Sequence, residues 1–577
     1  MAHLTPRWVV AETNPLNQAL AHSYSSRFDI SPVVARVLIR RGFESPEKLA
    51  AYLEPSLNDL HPSEALLGLT AAVQRIQAAL AKDEKILLYG DYDVDGTSSI
   101  VILKTVLDLL GADVEAFVPH RILDGYGMKA DRIELAAKDG VSLIISVDTG
   151  IRAGEVVALA SSLGIDTIVT DHHLPETEIP PAVAVLNPNQ PDCQYPNKHL
   201  CGAGVAFKLA QGLIESSAMP VSKQLRLIES LLKIAALATV ADIVPLEGEN
   251  RAIVKLGLAG MAEVRNPGLR ALLDVSGIKP GTVPTARQVG FQIGPRINAA
   301  GRMASASEVL DLFFTQDEAT ARRIAATLDE LNRERQETEQ EMREAIFNSI
   351  ESEPLWETRL GLVLFGEEWH LGVAGIVAGR IAEKHRKPTF VLTQQEKDGK
   401  TVVKGSGRSI PGFHLLDALE SMRHLFLQFG GHEQAAGVTL EKDRVPDFIA
   451  AFAAYTGARL DDESRRANIE IDETVTVPEV AFGLYDEVQR MAPFGHHNAP
   501  PIFALMNAEV AAPPFVMKQK HIKLTVRQQG RLLNLKGWSV PAEWFTLRAG
   551  DRVDAAFQLE HDSYDGWAPI LKDLRRA

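Results

Sequence analysis

Three aspartates at alternate positions follow an apolar segment in the stretch YGDYDVDGTSS (89–99). They are Asp91, Asp93 and Asp95, and the segment KILLYG (85–90) that precedes them has the composition of a buried strand. Carboxylates this close together repel one another, and burying them without partners is costly. The stretch is therefore either a solvated turn or one side of a site that holds positive charge.

Further acidic and histidine residues fall at or just beyond the ends of other predicted strands. Asp148 follows LIISV, Asp171, His172 and His173 follow DTIVT, and Asp242 lies in LATVADIVPL. The carboxyl ends of parallel strands converge, so these side chains can share one crevice. Hard divalent cations bind carboxylate oxygens, and Mn²⁺ also accepts imidazole. The combination predicts a two-metal site, although a DTG turn or a DHH helix cap alone would not.

The elements that would position these residues alternate between strand and helix. Strands are predicted at 85–90, 114–119, 141–147, 165–170 and 182–187. This alternation predicts an α/β fold whose mostly parallel sheet is covered on both faces. A long polar helix is predicted over 316–353 as a connector, before a second α/β-like segment. Beyond a linker at 456–466, short strands separated by turns predict a small β-barrel.

The composition is that of a globular protein. The 577 residues leave room for roughly three to four domains, and 46% of them are hydrophobic. No apolar run is long enough for a transmembrane helix, and the N-terminus lacks a secretory signal pattern, so a cytoplasmic location without membrane contact is expected. Cys193 and Cys201 bracket His199. A zinc site normally needs four ligands at closer spacing, which favours reduced structural thiols.

The charge distribution is uneven. A net charge of −15 argues against a nucleic-acid partner if it is taken for the whole chain. The segment 518–536, however, contains six Lys or Arg residues and no acid, and Trp538, Trp544 and Trp567 follow it. Basic strands with nearby aromatic residues are typical of an OB-type surface for single-stranded nucleic acid. The alternative is that the tryptophans are core residues, which must hold for at least one of them.

The motifs DYDVDGTSS, SVDTG, TDHHLP and ATVADIVPL resemble, in order and spacing, the four motifs of the DHH phosphoesterase superfamily. GPRINAAGRM (294–303) and GGHEQAAG (430–437) resemble its RecJ branch and the DHH-associated domain. The resemblance covers about residues 60–577. It implies an α/β fold made of a parallel-sheet DHH catalytic domain (61–315), a connecting helix (316–353), a smaller α/β DHH-associated domain (354–455) and a C-terminal OB-type β-barrel (466–577). Residues 1–60 are expected to form an N-terminal helical extension.

The resemblance also implies an activity and a set of ligands. It implies a 5′-to-3′ exonuclease that degrades single-stranded DNA to 5′-mononucleotides by two-metal hydrolysis, in recombinational and mismatch repair. Two Mn²⁺ or Mg²⁺ ions are expected. Asp91, Asp93 and Asp148 would hold one ion, and Asp95, Asp148, His172 and Asp242 the other, so that Asp148 is the bridge. His173 would act beside the scissile phosphate as a donor or acid.

Candidate residues for binding DNA phosphates occur in the glycine-rich and basic segments. They are Arg121, Arg296, Asn298, Arg302, Arg380, Ser406, Arg408 and His432 in the α/β segments, with Lys518, Lys520, Lys523 and Arg527 in the barrel. We hypothesise a pocket for the terminal 5′ phosphate made of Arg121, Ser406 and Arg408. A single arginine is more often an ion-pair partner, and His432 could simply cap a helix.

Partners and alternative functions complete the expectations. The resemblance implies single-stranded DNA as the substrate, a single-strand-binding protein and a helicase as partners, and a monomer. A small-molecule phosphoesterase of the same superfamily would share every metal ligand, but it needs no basic barrel. A non-catalytic scaffold that kept the fold should have lost metal ligands, and every ligand position here is filled.

Overall fold

The computed structural model describes residues 5–10, 15–121, 124–125, 127–352, 356, 358–397, 400–480, 483–562 and 566–577. Residues 353–355, where the connecting helix is predicted to end and the DHH-associated domain to begin, lie outside the described residues.

The N-terminal segment forms one strand and three helices. These are β1 (Arg7–Val10), α1 (Pro15–Phe28), α2 (Pro32–Arg40) and α3 (Pro46–Leu53). Two of the helices begin at a Ser–Pro pair: the side chains of Ser31 and Ser45 accept hydrogen bonds from the first turns of α2 and α3, and a proline follows each serine. Serine caps the free N–H groups, and proline is already fixed in a helical conformation.

The next segment contains a parallel sheet with helices on both faces. Its elements are α4 (Leu69–Ala81), β2 (Lys85–Tyr89), α5 (Val94–Leu109), β3 (Val114–Phe117), α6 (Ala130–Lys138), β4 (Val141–Val147), α7 (Gly154–Ser162), β5 (Asp166–Thr170), β6 (Ala184–Leu186), α8 (Gly202–Glu215), α9 (Val221–Ala241), α10 (Gly248–Gly260), α11 (Pro267–Val275), α12 (Ala286–Gln288), α13 (Gly294–Met303) and α14 (Ser307–Phe314). The strand order is β3-β2-β4-β5-β6, and every pair is parallel. The predicted parallel sheet is confirmed. Its central strands read as continuous apolar runs because both of their faces are covered.

One long helix, α15 (Glu318–Ser352), occupies the stretch predicted as a connector. Its N-terminal half places Ile324 and Leu328 in the core of the catalytic domain. Its C-terminal half places Met342 and Ile346 in a separate core with the next domain. A single helix of 35 residues therefore carries apolar residues into two cores while the rest of its surface stays polar.

A second α/β unit follows the long helix. It contains β7 (Leu362–Gly366), α16 (Leu371–His385), β8 (Thr389–Lys397), β9 (Lys400–Arg408), α17 (Leu415–Ser421), β10 (Gln428–Gly431), β11 (Ala435–Glu441) and α18 (Val445–Gly457). The sheet order is β10-β11-β9-β8-β7, and only the β7–β8 pair is parallel. The glycine-rich segments of the sequence lie on β9 and β10.

The C-terminal segment forms the predicted barrel. Its elements are β12 (Asn468–Ile471), β13 (Glu473–Thr474), α19 (Leu484–Gln489), β14 (Ile502–Val510), β15 (Phe515–Met517), β16 (His521–Gln528), β17 (Arg531–Gly537), β18 (Arg552–Asp562) and β19 (Gly566–Arg576). Because β14 pairs with both β18 and β16, the strands β14, β18, β19, β17 and β16 close into a ring. The OB-type architecture is confirmed.

The N-terminal helices share one hydrophobic core with this barrel. Tyr24, Val34 and Leu38 are fully buried in the same cluster as Phe503 and Phe557 of the barrel. The strand β1 also pairs in parallel with β12. The N-terminal extension, for which the sequence indicated no role, thus packs with the opposite end of the chain. The exact domain boundaries stay a prediction.

Candidate metal centre

The first acidic motif forms the turn between β2 and α5. Asp91 lies just beyond the strand, and Asp93 caps the helix by accepting hydrogen bonds from the backbone N–H groups of Asp95 (2.9 Å) and Gly96 (3.1 Å). Gly96 packs so tightly that a Cβ there would lie 2.5 Å from the carbonyl oxygen of Asp91. A helix cap and a close backbone approach together fold the three carboxylates onto one side of the turn.

Asp95 is held by a second helix start. Its two carboxylate oxygens accept hydrogen bonds from the backbone N–H groups of Gly202 (2.6 Å) and Ala203 (2.7 Å), at the N-terminus of α8. The positive end of a helix is a favourable place for a carboxylate. Asp95 is therefore fixed in position by the fold before any cation binds.

Asp148 follows β4 with a backbone φ of +58°, in the left-handed region. Its carboxylate Oδ1 lies 3.2 Å from Nε2 of His172, which follows β5. A Cβ at Gly202 would lie only 2.7 Å from this Oδ1, so a glycine is required beside it. An aspartate tolerates the left-handed conformation better than most residues, which fits a strand end where the chain must turn abruptly.

The two histidines differ in their surroundings. His172 has Nε2 3.6 Å from Oδ2 of Asp95, and its Nδ1 lies 3.8 Å from Oδ2 of Asp242, the C-cap residue directly after α9. His173 instead has Nδ1 2.7 Å from Oδ1 of Asp171. An ionised carboxylate accepts only, so Nδ1 of His173 donates and Nε2 is the nitrogen that can face a substrate.

The predicted metal ligands converge as three overlapping groups. Within each group, one oxygen or nitrogen atom from every residue lies within 4.8 Å of the others. The groups are Asp91 with Asp93 and Asp148, Asp95 with His172 and Asp242, and Asp148 with His172 and His173. Asp148 belongs to two of them, which is the position that a bridging ligand requires.

Burial and mutual repulsion dominate the electrostatics of the clustered carboxylates. Burial raises the pKa of Asp91 well above its usual range, and the charge of Asp93 adds to the increase. Burial and then the charges of four neighbouring aspartates raise the pKa of Asp148 in the same direction. For Asp242, burial followed by the charges of Asp95 and Asp93 raises the pKa to about 9. The cause is the same throughout: several carboxylates share a site with little water.

These residues fit two divalent cations. Oδ1 of Asp91 is buried and finds no hydrogen-bond donor among the residues that the structure describes. An acceptor left without a partner in a buried site is expected where a cation binds. The donor set of carboxylate oxygens and one imidazole suits Mn²⁺, and it also accommodates Mg²⁺.

Three residues that hold the histidine motif in position by hydrogen bonds were not predicted from the sequence. Asp171 was quoted in the TDHHLP motif without a role, yet its carboxylate accepts hydrogen bonds from the His173 ring and from the backbone of Ile151 (2.9 Å). Asn187 and Asn189 donate to the carbonyl oxygens of His173 (2.8 Å) and His172 (2.7 Å). The only sequence signal was the polar NPNQ segment directly after β6. These three residues hold the histidine backbone and one ring.

A group of cations lies beside the aspartates. Burial, followed by the charges of Arg121 and Arg408, lowers the pKa of Arg302 to about 9. Burial and then Arg121 also lower the pKa of Arg408. Among the described residues, neither Arg302 nor Arg408 forms a salt bridge; Arg302 donates to the carbonyl of Gly372 (2.8 Å). Guanidinium groups that repel one another without a counterion indicate an anion site.

This cation group spans the two α/β units. Arg121 lies over the ring of Tyr92, 4.8 Å from its centroid, on the catalytic side. On the other side, a Cβ at Gly375 would lie 3.0 Å from Nη2 of Arg408 and 3.4 Å from Cβ of Ser406, so both side chains of β9 reach the same helix. For His432, partial burial and then the charges of Arg408 and His173 lower the pKa.

Three other candidates have structural partners. Arg296 forms an ion pair with Asp329 (2.7 Å), and Arg380 lies 3.5 Å from Glu339. Oδ1 of Asn298 accepts a hydrogen bond from the backbone N–H of Val94 (3.2 Å) at the start of α5. Their role in DNA binding stays a prediction. The alternative is a structural role, as an ion-pair partner for the two arginines and as a contact with α5 for Asn298.

On the barrel, the basic residues lie outside the core. Along β16, Ile522, Leu524 and Val526 are fully buried, and the residues that alternate with them, Lys523 and Arg527 among them, face outward. Lys518 and Lys520 are exposed in the turn before β16.

The three tryptophans have different surroundings. Trp544 is buried, whereas Trp567 packs on the core and stacks on Tyr485. Trp538 is 52% exposed, next to His521. One tryptophan is thus available to a base, while the other two belong to the packing.

Three family models match consecutive parts of the chain. The DHH family, N-terminal domain, matches residues 85–239; the DHHA1 domain matches 360–458; and the RecJ OB domain matches 471–569. The single-stranded-DNA-specific exonuclease RecJ of Escherichia coli is 32% identical over 561 residues, which cover 93% of this chain and 94% of that protein. The chain belongs to the RecJ family.

Other RecJ proteins agree with this assignment. RecJ of Bacillus subtilis is 35% identical over 536 residues, and the match spans 92% of this chain and 66% of that longer relative. The crystal structure of RecJ in complex with Mn²⁺ from Thermus thermophilus superposes with a TM-score of 0.83 at 31% identity, covering 99% of this chain and 80% of that one. A structure of the same protein with Mg²⁺ gives a TM-score of 0.77.

Two smaller expectations for this RecJ-family chain concern the cysteines and the membrane. Cys193 and Cys201 are buried, free thiols. Among the described helices, none combines the length and apolar character needed to cross a membrane.

Proposed function

We propose that the chain hydrolyses single-stranded DNA from its 5′ end and releases 5′-mononucleotides, using two divalent cations. One observation carries the proposal: Asp148 belongs to two of the three groups of side chains whose oxygen and nitrogen atoms lie close enough together to hold a metal ion. The proposal extends to this chain what the names of its relatives say of them, single-stranded-DNA-specific exonucleases.

Asp91, Asp93 and Asp148 would hold one cation, and Asp95, Asp148, His172 and Asp242 the other. When bound, the cations would supply Lewis-acid chemistry, by activating an attacking water and offsetting the charge of the phosphate. The protein contributes rigidity. Both oxygens of Asp95 accept backbone hydrogen bonds, and the glycine at 202 leaves room for the Asp148 carboxylate.

His173 would hold a proton next to the reacting phosphate. Burial opposes its charged form, but the hydrogen bond to Asp171 and the charge of that carboxylate raise the pKa of His173. Its Nε2 can then donate to a phosphate oxygen or to the departing 3′ oxygen. Cleavage breaks the bond between phosphorus and the 3′ oxygen, so the shortened strand keeps a new 5′ phosphate.

Polarity would come from a pocket for that 5′ phosphate. The pocket would consist of Arg121, Ser406 and Arg408. Two observations support it: the charge of Arg121 acts on Arg408, whose pKa is lowered first by burial and then by this charge, and a Cβ at Gly375 would lie close to both Arg408 and Ser406. A terminal phosphate carries more negative charge than a phosphodiester, so it would be preferred by guanidinium groups that have no counterion. Each turnover regenerates the group that the pocket binds, which supports repeated removal from the same end.

The barrel would hold the rest of the strand. Its outward lysines can contact phosphates, and the exposed ring of Trp538 can stack on a base.

Because the N-terminal helices share the barrel core, removing residues 466–577 would also expose apolar surface on α1–α3. Charge reversal is the cleaner test: K520E/K523E should weaken binding of a long strand, whereas cleavage of a dinucleotide stays unchanged. Equal binding of the long strand would refute a role for this surface.

Work in recombinational and mismatch repair, with a helicase to open duplex DNA and a single-strand-binding protein, belongs to the same proposal. So do a monomeric state and a cytoplasmic location. These follow from membership of the family and from the need for a single-stranded substrate.

The decisive experiment is a time course on a single strand labelled at the 5′ or the 3′ end, with and without Mn²⁺. We expect the 5′ label to appear at once as a mononucleotide, the 3′-labelled strand to shorten progressively, and neither to change in EDTA. Release of the 3′ label first, or cleavage in EDTA, would contradict the proposal.

A further inference from the structure

A large cavity lies where three parts of the chain meet, away from the aspartate cluster. Its volume is about 1140 Å³, and its walls come from the N-terminal helices, from the start of α10 in the catalytic domain and from the C-terminal segment. Ligand pockets typically measure about 300–1,000 Å³, so the cavity can hold a small organic molecule together with water.

Arg251, on α10, is the unusual residue in the wall of this cavity. It is only 2% exposed, and its guanidinium stacks on the ring of Tyr52, 3.6 Å from the centroid. Nε donates to the carbonyl of Tyr52 and Nη2 to that of Ala492, both at 2.8 Å. Nη1 is buried and has no acceptor among the described residues.

Arg251 also has no counterion within the described part of the chain: no carboxylate there forms a salt bridge with it. Burial lowers the pKa of Arg251 to about 10, which still leaves the group charged at neutral pH. A buried charge without a partner is unfavourable, and stacking on tyrosine supplies no acceptor for Nη1. An anion bound in the cavity beside Arg251 would supply the acceptor that Nη1 lacks.

Five acidic residues line the cavity, and among the described residues none of them forms a salt bridge with Arg251: Asp59, Glu247, Glu249, Glu470 and Asp472. Glu249 accepts from the hydroxyl of Tyr195 (2.9 Å) and from Nζ of Lys208 (3.1 Å). Asp472 pairs with Arg41 at 2.7 Å. Arg40 and Arg41 on the wall form salt bridges, and the exposed Lys48 adds a further positive charge.

The rest of the wall mixes polar and charged groups with apolar side chains. Phe43 is half-buried, Val9 is 43% exposed, and Ile502 lies beside them on the wall. The wall therefore offers a guanidinium and an ammonium together with aliphatic and aromatic side chains, which suits a ligand that combines an oxyanion with a flat, weakly polar ring.

We propose that this cavity is a second binding site, separate from the metal centre, for a nucleoside monophosphate whose phosphate contacts Arg251 and Lys48. The proposed hydrolysis releases ligands of this class, but the binding itself needs neither metal nor catalysis. The proposal therefore stands or falls independently of the exonuclease activity.

The test is calorimetric titration of the full chain in EDTA with dAMP, deoxyadenosine and inorganic phosphate. We expect dAMP to bind more tightly than either fragment. K48E, an exposed change that does not threaten the fold, should weaken dAMP binding about tenfold, and R251Q should abolish it. K82E reverses a lysine outside the cavity and should change nothing. R408A, which alters the proposed 5′-phosphate pocket, should also leave binding in EDTA intact.

Several outcomes would overturn the proposal. They are no binding of dAMP to the wild type, binding that K48E and R251Q leave unchanged, binding that disappears in R408A, or phosphate alone binding as tightly as dAMP. If R251Q does not fold, the comparison of K48E with K82E still decides.

Discussion

The replacement of Asp148 by asparagine separates the metal centre from the fold that carries it. Asparagine has the same shape and, like aspartate, tolerates the left-handed φ of +58° at this position. The change removes one negative charge from a group in which the ligand atoms of Asp91, Asp93 and Asp148 lie within 4.8 Å of one another. It should therefore affect electrostatics far more than packing.

The size of the effect follows from Coulomb's law. Two like charges 4.8 Å apart repel by about 3 kcal/mol at an effective dielectric constant of about 20. Asp148 has two such neighbours in this group, but the raised pKa values of Asp91 and Asp148 mean that protonation already relieves part of the repulsion. D148N should then stabilise the metal-free catalytic domain by about 2–4 kcal/mol, which corresponds to a rise in Tm of about 5 °C or more.

The same change should destroy function. Without the bridging carboxylate we expect cleavage of a single strand to fall by about 10³-fold or more, and the increase in Tm that Mn²⁺ gives the wild type to disappear. Thermal unfolding with and without Mn²⁺, and a turnover assay, measure all three quantities. D139N, at an exposed helix end, is the control for loss of a surface charge. Near-normal turnover, or a metal-free Tm below that of the wild type, would refute the reasoning.

Three further variants test individual contacts. G202A places a Cβ 2.7 Å from the Asp148 carboxylate, so Mn²⁺ affinity should fall at least about tenfold, whereas G154A, which meets nothing within 4 Å, should not change it. D171N keeps the shape but weakens the acceptor for Nδ1 of His173; we expect kcat to drop about 10–100-fold with Mn²⁺ affinity unchanged. R408A should remove the preference for a 5′-phosphorylated over a 5′-hydroxyl strand, and a preserved preference would place the pocket elsewhere.

The convergence of the acidic and histidine residues could be predicted from the sequence, because each motif is local and its position is set by topology. Asp91, Asp148 and His172 each follow a strand, and parallel strands place their carboxyl ends together. The barrel could also be predicted from the sequence, because its strands alternate buried and exposed residues with a period of two. Both inferences rest on periodicity and strand order, which a single sequence displays.

Contacts between distant segments could not be predicted. Nothing in residues 1–60 indicates that Tyr24 or Leu38 packs against the barrel, since the partners are more than 400 residues away. Likewise, the ion pair of Arg296 with Asp329 and the contact between Asn298 and the start of α5 depend on helix packing. An arginine that faces a phosphate and one that faces a carboxylate look the same in sequence.

The cavity at Arg251 is another feature that could not be predicted, because it depends on contacts between distant segments. It forms only when the N-terminal helices, α10 and the C-terminal segment have assembled, so no local pattern reveals it. In the structure, the cavity draws attention through the buried guanidinium of Arg251, whose Nη1 has no hydrogen-bond acceptor among the described residues.

The most direct measurement of the central claim is the anomalous diffraction signal of a crystal grown with Mn²⁺. We expect two manganese peaks, both within coordination distance of the Asp148 carboxylate, one beside Asp91 and the other beside His172. Peaks at other sites, or a single ion that does not touch Asp148, would contradict the assignment of this cluster as a two-metal centre.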